Sequence, residues 1–207
     1  MANVSQVKAK TFAASGANTT AICANQTNSG SGSMNLTNTD GVLVPGNLGT
    51  TVTIISTASD SNSGITFDVT GVGVDGSAVS QTGITGPAGT STVTTTTVFT
   101  EVTSITHSGT CTNVSCGITA TTTGTGVVFA GRTIVRGMHI VPSGTAGLID
   151  FKNTSSSGTK LLEIGVHTDQ TPVDPYIPDD GVLFDAGSFI NLGSTDLATS
   201  ITVFYDG

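Results

Sequence analysis

The sequence predicts an all-β fold made of two small antiparallel β-sandwich domains, with little or no helix. Three observations carry that expectation. Short apolar runs alternate with polar residues at period two, most cleanly Ile65, Phe67 and Val69 against Thr66, Asp68 and Thr70. Each run is bounded by Gly, Asn, Asp or Pro, the pattern of antiparallel strands joined by tight turns. No stretch of ten or more residues sets apolar side chains at i, i+3, i+4 and i+7, the spacing with which a helix buries one face.

Composition points the same way. Charged residues make up 10% of the 207-residue chain, against about 25% in an ordinary soluble domain. Thr and Ser take their place. Thr is β-branched and suits a pleated, half-solvated surface, so the chain reads as hydroxyl-covered sheet rather than as disorder.

Taken in order, residues 1–40 read as an N-terminal arm or extended segment. The stretch "ANQTNSGSGSMNLTNTDG" is polar and glycine-broken, and such a segment orders on assembly. Lys8 and Lys10 are its only cations, and with Phe12 they are the residues expected to touch a partner. Residues 41–123 follow as a Thr-rich sandwich, to which the arm can be added, with Val52 and Ile54 alternating in "TTVTIIST". The Thr runs at 94–97 and 121–123 lack neighbouring prolines, so they read as strand faces carrying cross-strand Thr pairs. The stretch "TTTGTGVVFAG", residues 121–131, marks a change of character. After it come Arg132, Arg136, Lys152, Lys160 and most of the acidic residues. Residues 124–207 are expected to form the second sandwich, with Leu162, Ile164 and Val166 alternating against Leu161, Glu163 and Gly165. Immunoglobulin-like or jelly-roll-like arrangements suit such strands.

Charge excludes one class of partner. The formal net charge is −8 and no Lys or Arg occurs from 11 to 131, whereas nucleic-acid affinity comes mainly from Lys and Arg displacing counterions. No apolar run approaches the roughly 18 residues that span a bilayer. The opening "MANVSQVKAKTFAASG" has no apolar signal core. Synthesis in the cytoplasm, without membrane or nucleic-acid partners, is the expectation. Cys23, Cys111 and Cys116 are an odd set, which argues against a secreted disulfide framework.

Four patterns bear on chemistry. Gly71-Val72-Gly73-Val74-Asp75-Gly76 matches G-x-G-x-x-G, but a dinucleotide turn must open a helix whose N-terminus holds the pyrophosphate. Here alternating residues and Gly83 follow, and the acidic residue due about twenty positions on is missing. Two strands joined by an Asp75-Gly76 turn fit better. His107, Cys111 and Cys116 offer zinc three ligands without an evident fourth. They read instead as two apolar cysteines flanking a turn at "CTNVSC" and a histidine on a strand face, with a Cys111–Cys116 disulfide in oxidising surroundings as the other option. The loop "HTDQTPVDPYIPDDG", residues 167–181, gathers His167, Asp169, Asp174, Asp179 and Asp180. Converging carboxylates bind calcium, yet the D-x-D-x-D-G spacing is absent, so a stiff surface loop that makes contacts is the leading expectation. Catalysis has no footing: G-x-S-x-G is missing and the acids are dispersed, so no catalytic residue, cofactor or enzymatic activity is expected. With no Trp and two Tyr, aromatic stacking on sugars is poorly provided for.

The segment "SGITFDVTGVGVDGSAVSQTGITGPAGTSTVTTTTVFTEVTSITHSGT" resembles a module of tailed-bacteriophage structural proteins. That module runs as a "tGtdadG" hairpin, then "tGpnaGt", then an F-x-x-V-x-x-I strand, here Phe99, Val102 and Ile105. "TIVRGMHIVPSGTAGLIDFKN", "PDDGVLFDAGSFINLG" and "TVFYDG" are similar to a small β-sandwich of marine-phage virion proteins. The resemblance covers residues 60–207 and implies a virion structural protein. Foremost is a capsid decoration or cement protein that binds the major capsid protein, as a homo-oligomer (a trimer), through multivalent contacts. A tail, adaptor or fibre component is the alternative, and a host-surface or carbohydrate-binding module the second.

Overall fold

The structure, a computed structural model, describes residues 7–39, 41–57, 59, 61–121, 124–178, 180–193 and 196–207. The strands in chain order are β1 (Lys8–Ala13), β2 (Asn18–Asn28), β3 (Gly32–Ser33), β4 (Val42–Leu43), β5 (Thr50–Ser56), β6 (Thr66–Val72), β7 (Ala78–Thr85), β8 (Thr92–Phe99) and β9 (Glu101–His107). They continue as β10 (Cys111–Ile118), β11 (Thr125–Phe129), β12 (Thr133–Pro142), β13 (Gly147–Asn153), β14 (Lys160–Val166), β15 (Val182–Phe184), β16 (Ser188–Asn191) and β17 (Ala198–Asp206). One short 3₁₀ turn, Pro45–Asn47, lies between β4 and β5. The fold is all-β, in four antiparallel sheets. Backbone contacts divide it into two compact units. Unit 1 comprises Met1–Ser15, Pro45–Leu48 and Thr122–Gly207; unit 2 comprises Gly16–Val44 and Gly49–Thr121.

Unit 2 packs the sheet β2-β10-β5-β8 over β3-β9-β6-β7, with β4 also pairing on β9. Ile22, Val52, Ile54, Val114 and Phe99 from the first sheet meet Phe67, Val69, Val102 and Ile105 from the second, all fully buried. The G-x-G-x-x-G stretch is a hairpin here. β6 pairs with β7 up to Val72↔Ala78, and Gly76 turns the chain at φ 78. The Asp75 carboxylate accepts from the Ser77 hydroxyl at 2.6 Å and the Ser77 N–H at 3.0 Å, which holds its pKa below the usual carboxylate value. Gly71 answers a different demand. The β6–β9 register slips between Thr70 and Gly71, and a Cβ at 71 would lie 2.0 Å from the Glu101 carbonyl oxygen. Sheet geometry, not phosphate binding, explains both glycines.

The Thr run at 94–97 also has a structural reason. β5 and β8 pair at Thr51↔Val98 and again at Thr53↔Thr94, so β8 bulges opposite Val52. The hydroxyl of Thr95, buried, replaces the lost ladder bond: it accepts from Val52 N–H at 2.9 Å and donates to the Thr97 carbonyl at 2.8 Å. From β7, the Gln81 side-chain oxygen accepts from the Thr96 and Thr97 N–H groups at 2.8 and 2.9 Å. Thr95→Val keeps the shape but leaves the Val52 N–H buried without an acceptor, a cost of about 1–3 kcal/mol. Thr94→Val, on the exposed face, is expected to cost under about 0.5 kcal/mol. Urea denaturation of the two variants checks the difference. The run carries the cross-strand Thr pair Thr53↔Thr94, and beyond it Thr50 and Thr51 each share a hydrogen bond of 2.9 Å with the Thr119 hydroxyl. Of the run at 121–123, residues 122 and 123 lie outside the described residues.

Unit 1 packs β1-β17-β12-β15 over β11-β16-β13-β14. Its core joins Phe12, Ile140, Phe184 and Ile201 to Ile149, Phe151 and Ile190. Among the described residues of this segment, 7–39, the two long strands are therefore not an arm. β1 is hydrogen-bonded along its length to β17, from Lys8↔Tyr205 to Ala13↔Ser200, and residues 18–28 are the edge strand β2 of the other unit. A segment with few apolar residues is ordered because its backbone completes two ladders and Phe12, Ile22 and Cys23 fill cores. Residues 45–48 likewise go with unit 1: Leu48 is fully buried in its core and Asn47 donates from its side chain to the Thr11 carbonyl at 2.8 Å.

Candidate functional site

Lys8, Lys10 and Phe12 alternate along β1, so all three point to its inner side. Phe12 is 0% exposed and offers nothing to a partner, which corrects the contact role expected for it. Lys8 reaches the Gly207 carbonyl at 2.6 Å and stands 5.4 Å from the centre of the Phe129 ring. Lys10 lies 5.7 Å from the centre of the Phe12 ring, and burial lowers its pKa. β1 ends its sheet, and an inward-pointing charge on an edge strand obstructs pairing with another chain. These lysines guard an edge. A lysine whose pKa is lower in the fold than in the unfolded chain costs stability while charged, and that cost fades as pH climbs through the folded value toward 10.5. Lys10→Met is expected to remove this rise, to melt higher at neutral pH, and to self-associate through β1. Thermal melts from pH 7 to 10.5 and light scattering test both effects.

The loop 167–181 is fastened to β12. Ile140 and Val173 exchange backbone hydrogen bonds of 2.9 and 2.8 Å, and His139 Nδ1 lies 2.7 Å from the Asp174 carboxylate. Ile177 is buried in the unit 1 core. Asp174 thus engages His139, while Asp169, Asp180 and His167 are exposed; Asp179 lies outside the described residues. Among the described residues, no three His, Cys, Asp or Glu groups are set to hold a metal ion. What the loop does present is Tyr176, 83% exposed between Pro175 and the buried Ile177.

The His107–Cys111–Cys116 constellation dissolves into core packing. His107 Nδ1–H donates to the Gly109 carbonyl at 2.7 Å, which leaves Nε2 to accept from the Asn28 side chain at 3.4 Å. The stretch "CTNVSC" is one strand rather than a turn. β10 carries an extra residue between Cys111↔Asn28 and Val114↔Gln26, with Asn113 at φ 52. The bulge shifts the alternation by one, so Cys111, Val114 and Cys116 all face inward. Cys111 donates its thiol to Met34 Sδ at 3.9 Å, and burial raises its pKa. Cys116 sits opposite Cys23 of β2. The Cys116 thiol hydrogen-bonds the Cys23 sulfur, which lowers the Cys23 pKa and pushes that of Cys116 well up.

A groove of about 290 Å³ opens in unit 2 beside Met34, Leu36, Thr103 and Ser104. It offers hydroxyls and apolar surface.

Fold and surfaces together define an all-β protein of four antiparallel sheets, with one pinned loop and one buried cysteine pair. Compared with protein-family models, curated proteins and solved structures, the chain matches none. Sequence reasoning missed the role of Cys23, whose partner is fixed by the long-range pairing of β2 with β10, and singled out the carboxylates of 167–181 over Tyr176. A tyrosine directly after Pro175 and two residues before Pro178 was the available signal.

Proposed function

We propose that this chain is a non-enzymatic structural protein of a tailed-bacteriophage virion, and that it coats the capsid exterior as a decoration or cement protein. It binds the major capsid protein as a homo-oligomer, with many modest contacts multiplied by repetition on the shell. The observation that carries the reading is the Tyr176 loop. Backbone bonds to β12, the His139–Asp174 contact and buried Ile177 hold it, so a large aromatic stands in solvent at little further entropic cost. Tyrosines on pinned supports are frequent anchors of protein interfaces. The resemblance of residues 60–207 to virion modules supplies the setting. Its F-x-x-V-x-x-I residues Phe99, Val102 and Ile105 are all fully buried, but they do not share the single strand that the resemblance implies: Phe99 ends β8, and Val102 and Ile105 lie on β9.

The test is binding to purified capsids stripped of this protein. Wild type is expected to rebind and to label the shell uniformly. Tyr176→Ala is expected to lose tenfold or more in affinity, about 1.4 kcal/mol or more, with an unchanged melting temperature. Labelling confined to one vertex, or binding to a glycan panel in place of capsids, overturns the reading.

A further inference from the structure

We propose that Cys23 and Cys116 form a disulfide site: a small-molecule disulfide such as oxidised glutathione joins them across β2 and β10 and leaves Cys111 as a thiol. The register carries this inference. Cys23 and Cys116 are cross-strand partners in an antiparallel pair. Residues directly opposite in such a pair keep their Cα atoms about 4.5–5.5 Å apart, inside the range of about 4.4–6.8 Å that a disulfide accepts. Both side chains are fully buried in the same core. The pair Cys111–Cys116 lacks that geometry. Five steps along one strand separate them by roughly 15 Å, and Cys111 faces Asn28 and Met34.

The chemistry balances with the named oxidant. Cys23, the more acidic of the pair, attacks one sulfur of glutathione disulfide as a thiolate and expels a glutathione thiolate. Cys116 then gives up its proton, attacks the Cys23 sulfur of the mixed disulfide and expels the second glutathione thiolate. Two protein thiols become one cystine, two electrons pass to glutathione, and the two protons end on the glutathione thiols.

Access comes from strand opening. Neither cysteine is exposed, but β2 is the edge strand of its sheet and three register shifts interrupt its pairing with β10. Local release of such a strand requires less than global unfolding. In a reducing cytoplasm the site remains a thiol pair, and in oxidising surroundings it closes. The closed form ties the edge strand to the inner strand β10 and links residues 93 positions apart, which raises the unfolding midpoint by roughly 10 °C.

The experiment uses the full chain and a sequence accident. Glu101 and Glu163 are its only glutamates, so a glutamate-specific protease separates Cys23 from Cys111 and Cys116. The protein is equilibrated with excess oxidised glutathione, alkylated under denaturing conditions, digested without reductant and analysed by mass spectrometry. Fragments 1–101 and 102–163 are expected to remain linked until reduced, with the alkyl group on Cys111. Cys111→Ala is expected to give the same linked product. Fragments that separate without reductant overturn the proposal, whether the thiols are all alkylated or Cys111 and Cys116 are joined. A linked product in which Cys116 carries the alkyl group overturns it as well.

Discussion

Phe12→Ala is expected to cost about 3–5 kcal/mol, a large share of the roughly 5–15 kcal/mol that holds a domain folded. Phe12 is fully buried in the unit 1 core. The neighbouring strand is moulded to it: a Cβ at Gly126 of β11 would meet the Phe12 ring at 2.5 Å and the Asn47 carbonyl oxygen at 2.7 Å. Truncation leaves a cavity lined by groups that have already closed in as far as their backbones permit. Hydrogen exchange in Phe12→Ala is expected to rise first along β1 and β17. Phe12→Leu retains most of the volume and is expected to recover at least half of the loss. Were Phe12 a surface contact, both variants would fold with wild-type stability and differ only in partner binding; denaturant titration separates the two cases.

Gly71→Ala is expected to be nearly as damaging, at about 3 kcal/mol or more. The new Cβ would sit 2.0 Å from the Glu101 carbonyl oxygen and 3.0 Å from the Phe99 ring. The first of these is backbone already fixed in the β6–β9 ladder, so strand separation is the only relief. Gly76→Ala, at a turn with φ 78, meets a conformational penalty of about 1–2 kcal/mol. The order Gly71 over Gly76 is the signature of a bulged strand crossing, and urea melts of the pair read it directly. Equal losses at the two positions would count against the packing argument.

Local pattern revealed much of this architecture. Phe67 and Val69 are buried and Ile65 packs against the same core, as their alternation with Thr and Asp required, and the Asp75-Gly76 hairpin was legible from two residues. What pairs with what across long distances was not. "KAKTFA" reads as polar because lysines occupy two of its inward positions, and nothing local says that it meets residues 200–205. Cys23 and Cys116 lie opposite each other in the register that Cys111↔Asn28 sets, because the extra residues of β10 and β2 between the two pairs offset one another. What local pattern could not show is that Cys111 and Cys116, five apart, face the same core, since a bulge obeys no countable period. The acidic loop was legible as a stiff surface feature, whereas the turn of Asp174 toward His139 depends on where β12 passes.

The placement of β17 between β1 and β12 has a consequence for biosynthesis. Residues 8–13 are made before residues 200–205 and must wait for them before their ladder can form. Every strand of unit 2, by contrast, is available once residue 118 has cleared the exit tunnel. A polypeptide interrupted before β17 retains β1 and β12 with a gap where their shared neighbour belongs, and leaves the facing edges of both strands without ladder partners. Unit 1 therefore cannot close its first sheet until residues 198–206 have been made, whatever the order in which its other strands fold.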